Sequence, residues 1–520
     1  MEKHNTIKVV LITILVLLLL TWIIPAAYYS GQFVDQGRVQ MGLFDLFNYP
    51  LTALSYFGYI GLFLILVGGF YGVLYKIPAY RAFLDRIVKV ASNNEAVSIS
   101  VIVTVLALLV SVCGVQIGIA LFIPLIVSII LLMGYDKIVA GLVTVGSIAV
   151  GLIGSTYAYA NISVLTATFQ LKPDYQIGIR FVILLVGIVL VIFNTLMYIK
   201  ANGKVKITDK VEKEAKKLEE KVEEVAAKVT KKPATKKTTT KKTTTKKSTS
   251  SKTRKSVNKA ALIDEDVIVV PNKVSGDHKI WPFTLAFVLL FVVFTLAFIT
   301  WGENGFGIKT FDNITKSVQE FELFKFPLFA KLLGTINSFG NWSITDMFLP
   351  MFLTILLLVL IYKVKLDDVF DGFVEGVKKA LAPAFISILV YTVLVLVTYH
   401  PFQLTIYKAI LGMTKGFNIA TTAVVAILSS VINADAAYSF QSVIPYYASV
   451  VTKTDTYPLV AVIFQSMYGL TMLVAPTSLI LMATLSYLKV SYKDWLKNVW
   501  KLLLELFVIL LIIFIILALM

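Results

Sequence analysis

The chain has 520 residues, 58% of them hydrophobic and only 15% charged, with a mean hydropathy of +0.82. A soluble protein carries about a quarter charged residues, so lipid is the solvent for most of this sequence and a string of soluble domains is excluded. The net charge of +17 sits mainly in residues 200 to 279, with 23 basic and 11 acidic side chains, and is almost all lysine, which lacks the planar fork that reads guanine or phosphate, so nucleic acid is not an expected partner.

The first apolar run, Ile7 to Tyr29, follows Lys3 and Lys8 and is longer than the core of a signal peptide, which predicts an uncleaved helix. The next, 51 to 75, contains Gly68 and Gly72, a GxxxG pair suited to close helix packing. The run 97 to 133 is too long for one span and is interrupted at Cys113-Gly114-Val115-Gln116, so it forms either two spans or a re-entrant hairpin. Run 138 to 170 is broken at Gly151-Leu152-Ile153-Gly154-Ser155-Thr156. Run 177 to 199 follows, and Arg180 near its start reads as an interfacial anchor.

Residues 200 to 279 form a separate segment. Heptad spacing from Val211 to Val229 predicts a short amphipathic helix, and from Lys231 the repeat KKPAT, KKTTT, KKTTT, KKSTS has nothing to bury and reads as a disordered tether. Its lysines would also permit attachment to anionic lipid.

The second half offers runs at 281 to 301, 346 to 364, 381 to 400, 417 to 451, 457 to 488 and 499 to 519. Of these, 417 to 451 is interrupted at Asn433-Ala434-Asp435-Ala436, and 457 to 488 at Ala475-Pro476-Thr477-Ser478. Positive charge places the N-terminus, the segment Lys76 to Glu95, the tract after 199 and the Lys489 to Lys497 loop in the cytoplasm. Counting spans from these anchors makes 97 to 133 start and end inside and 417 to 451 start and end outside, giving roughly nine spans and two opposed hairpins. An offset of 321 aligns Pro124 with Pro445, Thr156 with Thr477, Gly114 with Asp435 and Arg180 with Lys501. The expected fold is an all-α polytopic membrane protein of two inverted repeats with re-entrant helical hairpins and discontinuous spans. Its parts are 1–199, the cytoplasmic linker 200–279, and 280–520.

Broken backbone at membrane depth costs several kcal/mol per unpaired group unless it lines a cavity or finds partners. Ser155, Thr156, Thr477 and Ser478 are the first candidates for solute contact, although such hydroxyls often bond their own helix. Asp435, a carboxyl near the middle of an apolar run, is the most informative residue, with Asn433 beside it. Asp435 and Thr477 are candidate Na+ ligands. Gln116 and Gln465 are candidate polar liners, with core hydrogen bonding as the rival role. With no Lys, Arg or His in the four broken stretches, the charge balance points to a cation-coupled monocarboxylate or an amino acid whose ammonium group faces Asp435. Cys113, the single cysteine, allows no intrachain disulfide, and no HExxH, CxxC or GxxxxGK[ST] motif or paired acid and base suggests an enzyme.

At these residues the chain resembles the YfcC branch of the anaerobic C4-dicarboxylate carrier-like family, within the larger ion-transporter superfamily. The stretches that carry the resemblance are Thr21-Trp22-Ile23-Ile24-Pro25-Ala26, Gly68-Gly69-Phe70-Tyr71-Gly72-Val73-Leu74, Gly134-Tyr135-Asp136, Phe373-Val374-Glu375-Gly376, Ala475-Pro476-Thr477-Ser478 and Lys493-Asp494-Trp495-Leu496. Where relatives have an acidic pair after the first hairpin break this chain has Gln116-Ile117-Gly118, and where they have a Ser-rich second tip it has Ala434-Asp435-Ala436. The resemblance implies a two-repeat carrier with an elevator-like movement that takes up or exchanges carboxylates or amino acids.

The expectation is therefore a multi-pass secondary active transporter of the cell membrane. It moves a small carboxylate-bearing solute, an amino acid or a mono- or dicarboxylate, by symport with Na+ or H+ or by exchange; an uncoupled channel or a scaffold is the alternative. A homodimer is among the expected assemblies, and no other cofactor is expected.

Overall fold

The computed structural model describes residues 5–114, 117–204, 279–433 and 435–519. The helix expected at 211–229 and the lysine repeat lie outside the described residues. The described chain is helical except for its loops, a small strand hairpin, Ala26–Tyr29 with Phe33–Gly37, and a two-residue pair, Glu322–Leu323 with Phe326–Pro327.

Seven of the described helices are long and apolar enough to cross a membrane: Asn5–Ile23, Asp45–Lys76, Glu95–Cys113, Ile177–Asn202, Trp281–Phe298, Leu366–Tyr399 and Tyr492–Leu519. The last shows how lipid and core divide one helix. Leu502, Leu506, Leu510 and Phe514, four residues apart, are buried, while Leu504, Val508, Ile512 and Ile516 are exposed and equally apolar. Such a helix has no polar face to turn to water, and its outward stripe belongs in hydrocarbon.

The longest two, Asp45–Lys76 and Leu366–Tyr399, lie antiparallel, with Lys76 Nζ 3.0 Å from Glu375 at one end and the Tyr49 ring stacked on Tyr399 at the other. Between these ends Gly68 and Gly72 meet Gly372 and Gly376. A Cβ on Gly68 would lie 2.7 Å from the Gly376 carbonyl, and one on Gly72 would strike the carbonyl of Gly372. Two GxxxG pairs interlock, and the backbones touch. The helix predicted at 381 to 400 begins at Leu366 because Asp367, Asp368, Asp371 and Glu375 open it with charge that hydropathy does not read as helix. A further amphipathic helix, Pro78–Ala91, buries Tyr80, Phe83 and Leu84 and was not expected.

Both over-long runs return to the face they left. In the first, Glu95–Cys113 ends at Gly114 in the left-handed region (φ +70), a short 3-10 turn follows, and Ile123–Leu132 returns. Its ends meet where Tyr135 Oη donates to Glu95 Oε2 at 2.5 Å and Glu95 pairs with Lys204. In the second, Ile419–Ile432 is answered by Ala436–Gln441 and Ile444–Val450, and Thr422 Oγ1 lies 2.8 Å from Tyr447 Oη across the pair. Tyr446 packs edge-on against Tyr29 of the strand hairpin, which follows helix Asn5–Ile23; the other end of that helix accepts from Tyr492 N through Asn5 Oδ1 at 3.0 Å. Trp495, three residues past Tyr492, packs against Gly141, six residues past Tyr135, so the two hairpins close near opposite ends of that helix. Their arms are unequal, since Glu95–Cys113, at 19 residues, is itself long enough to cross, whereas its return helix has 10.

Candidate functional site

Two broken helices run between the hairpins. One is Lys137–Ile153, with a π-type turn at Leu142–Gly146, continuing after a break as Tyr159–Phe169; the other is Tyr457–Thr471, continuing as Leu479–Leu488. They cross at the backbone, because a Cβ on Gly469 would lie 2.7 Å from the carbonyl carbon of Leu152. At that crossing Ser466 Oγ donates to Ile153 O at 3.1 Å and Gln465 Nε2 to Ser155 O at 2.8 Å.

The other carbonyls of the first break are also taken. Ser111 Oγ donates to Gly154 O at 2.7 Å. Arg180 Nε donates to Ser155 O at 2.7 Å and Nη2 to Thr156 O, while Nη1 bonds Pro173 O at 2.8 Å and Tyr175 O at 2.9 Å. Arg180 is 0% exposed and lies 4.3 Å from the centroid of the Tyr175 ring. This corrects the reading of Arg180 as an interfacial anchor. Its five rigid donors match a cluster of freed carbonyls that a flexible ammonium group would not span.

At the second break Thr477 Oγ1 donates to Val431 O at 2.8 Å, tying the break to the second hairpin, and the Ser478 side chain caps Leu479–Leu488. Trp495 Nε1 bonds Leu473 O at 2.8 Å.

Both hairpin tips, the second break and the helix that follows the first break border one cavity of about 350 Å³. Gly114 and Ile117 come from the first hairpin, Ala160 and Asn161 from the far half of the first broken helix, Asn433 and Asp435 from the second hairpin, and Thr477 and Leu479 from the second break. Tyr59 and Tyr391, from the long antiparallel pair, and Tyr468 supply aromatic wall. Trp342, Ser343 and Ile344 border it as well, and of the lining residues Tyr59, Ala160 and Ser343 are exposed.

Of the residues singled out from sequence, Asn433, Asp435 and Thr477 line this cavity, whereas Ser155, Thr156 and Ser478 are buried behind its wall. Gln465, expected as a liner, has the rival role: its amide is spent on Ile153 O and Ser155 O and accepts from Tyr175 Oη at 2.9 Å. Gln116 lies outside the described residues. Asp435 is half-buried; its Oδ1 accepts from Tyr438 N at 3.2 Å, which caps Ala436–Gln441, and its own N–H donates to Asn433 Oδ1. Among the described lining residues it carries the only charge, and among the described residues no Lys, Arg or His forms an ion pair with it.

Sequence reasoning missed Asn161, Tyr59 and Tyr391. Asn161 had a readable signal, an amide within an apolar run, but the break at 151 to 156 drew attention to the hydroxyls upstream of it. The tyrosines had none, since nothing in their spacing separates a cavity wall from a lipid-facing aromatic.

The sequence profile of the family described as DcuC, C4-dicarboxylate anaerobic carrier, matches residues 4–309 and 277–519. No curated protein matches the chain. Among solved structures the chain is similar to the Alcanivorax borkumensis YdaH transporter, described as having an unusual topology, at 12% identity over 98% of this chain and 97% of that one, with a TM-score of 0.39.

Proposed function

From the chain's membership of the C4-dicarboxylate anaerobic carrier family, which makes it a multi-pass membrane carrier and not an enzyme, we propose that it is a secondary active transporter of a small carboxylate-bearing solute. The observation that carries this reading is the convergence of both hairpin tips and both broken helices on one cavity that holds Asp435, Asn433 and Thr477. Discontinuous helices meeting between opposed hairpins are the architecture in which carriers bind solute at mid-membrane and alternate its access. In this reading the two halves are inverted repeats, the hairpins and broken helices travel together in an elevator-like movement, and the long Gly-packed pair belongs to the frame.

The lysine-rich face, with the N-terminus and residues 200–279, is cytoplasmic in this proposal, by the excess of positive charge on that side. Na+ or H+ is the coupling cation, with the oxygens of Asp435 and Thr477 as the ligand pair on the cavity wall. Purified protein in liposomes loaded with unlabelled solute should take up labelled solute against its gradient, and an imposed Na+ or H+ gradient should change the extent. Flux that no ion or counter-solute gradient can drive uphill would replace the carrier with a pore.

A further inference from the structure

Residues 299–347 join the apolar helices Trp281–Phe298 and Phe348–Tyr362 and carry an amphipathic helix, Thr310–Glu320, a two-residue strand pair and a short helix, Leu328–Leu333. The polarity of Thr310–Glu320 is inverted. Its polar side bonds the rest of the segment: Asp312 accepts from Ser338 Oγ and, at 3.3 Å, from Asn341 Nδ2, and Gln319 Nε2 donates to Ile336 O at 3.4 Å. Phe311, between the two sides, packs on Trp301 and Phe339. Ile314 and Phe321, seven positions apart and so on the opposite side from Asp312 and Gln319, are exposed. A helix lying in water packs the other way round, with its apolar stripe against the protein.

The neighbouring elements extend the apolar side. Phe329 of the short helix lies 5.2 Å from Phe321 between ring centroids, and Leu332 and Leu333 beyond it are exposed. In the strand pair, Leu323 faces Phe326 across a turn made of Phe324 and Lys325, both at positive φ (53 and 65). Asn-Gly makes such a turn at little cost, whereas a bulky aromatic residue is strained in it. Phe324 gains no packing in return, because it is 95% exposed. A strained turn here holds a bare ring away from the protein, beside a lysine long enough to reach a headgroup phosphate.

The segment then enters Phe348–Tyr362, whose exposed residues, from Leu349, Phe352 and Leu353 onward, are all apolar. The apolar side is thus continuous along the chain with a lipid-facing surface. We propose that residues 310–333 form an interfacial anchor lying on the bilayer, with Ile314, Phe321, Phe324, Phe326, Leu332 and Leu333 immersed at the boundary of headgroups and acyl chains. The rival occupant is a second copy of the chain, but lysine is depleted at the centre of protein contacts, and Lys325 and Lys331 stand among these residues. The anchor would tie a wall of the cavity to the membrane, since Trp342, Ser343 and Ile344 border the cavity and Phe306 stacks on Tyr157, beside the first break, at 4.2 Å.

The test places nitroxide labels on single cysteines in the full-length Cys113→Ser protein, in liposomes of phosphatidylcholine and phosphatidylglycerol. Phe324→Cys and Leu332→Cys report the anchor, and Lys316→Cys, on the polar side, is the reference. Oxygen, which concentrates in lipid, and a water-soluble nickel chelate compete as relaxing agents. The ratio of oxygen to nickel collisions should be about threefold or more higher at 324 and 332 than at 316. Equal ratios at the three positions would place the patch in water and overturn the proposal. Shielding of 324 and 332 from both agents, with dipolar broadening between labels, would identify a second copy and also overturn it. Should a labelled variant fail to fold, the unaltered protein decides: a lipid with a diazirine high on its acyl chain should cross-link to the tryptic peptides between Ser317 and Lys331. Cross-linking confined to the long apolar helices would overturn the anchor.

Discussion

Arg180 is a structural cation at the point where the first broken helix parts. Arg180→Ala would leave the carbonyls of Thr156, Pro173 and Tyr175 without that donor, while Ser155 O keeps Gln465. At about 1–3 kcal/mol per orphaned buried group, the loss should reach at least about 3 kcal/mol, read as a fall in the thermal unfolding midpoint in detergent. Arg180→Lys should recover only part of it, because one ammonium group cannot reach four carbonyls set around a plane. Thr477→Val removes the single bond from the second break to Val431 O and should cost about 1 kcal/mol, with weaker solute binding as the hairpin tip loosens. Asp435 and Thr477 were legible because a polar group in an apolar run is conspicuous. Arg180 was conspicuous too, yet its partners lie across a fold that no local pattern encodes, and its place near a helix start suggested the water boundary.

Helices and hairpins were legible to the extent that hydropathy decides them. The excess length of 97 to 133 and 417 to 451, combined with the position of lysines, led to two hairpins closing on opposite faces, and hydrogen bonds such as Tyr135 to Glu95 now hold those closures. What hydropathy could not show were the elements whose apolar side is narrow: Pro78–Ala91 and the charged opening of Leu366–Tyr399. The offset of 321 is mixed in the same way. Pro124 and Pro445 each stand in the first turn of a returning helix, and Thr156 and Thr477 each stand in a break, but Arg180 is buried while Lys501 is exposed beside Glu505. At the long pair, Gly72→Leu should separate the two helices and abolish a monodisperse folded protein on size-exclusion chromatography. Gly72→Ala should cost about 1–3 kcal/mol by overpacking. Gly178→Ala, where an added methyl meets nothing within 4 Å, should stay within about 0.5 kcal/mol of the parent.

The sidedness of the whole molecule can be tested with single cysteines placed on a Cys113→Ser background. Asn93→Cys and Lys204→Cys sit on the face where the first hairpin closes, and Lys415→Cys and Lys453→Cys flank the second hairpin; all four positions are exposed. A membrane-impermeant thiol reagent should label the first two from one side of a sealed vesicle and the last two from the other. Labelling of Lys415→Cys and Lys453→Cys from different sides would mean that 417 to 451 crosses completely, and the cavity built on its tip would be lost.

The crossing of the two broken helices at Gly469 makes each half of the chain a ligand of the other. The carbonyl of Ile153 draws its side-chain donors from Gln465 and Ser466, more than three hundred positions downstream, and Ser155 O shares Arg180 with Gln465, so the earlier half on its own would emerge from synthesis with the Ile153 carbonyl lacking those partners. If the polypeptide is severed within 205–278, co-expressed fragments should reassemble into a stable pair, whereas either fragment made alone should be degraded. Biogenesis then has to wait for the final third of translation before the interior can set.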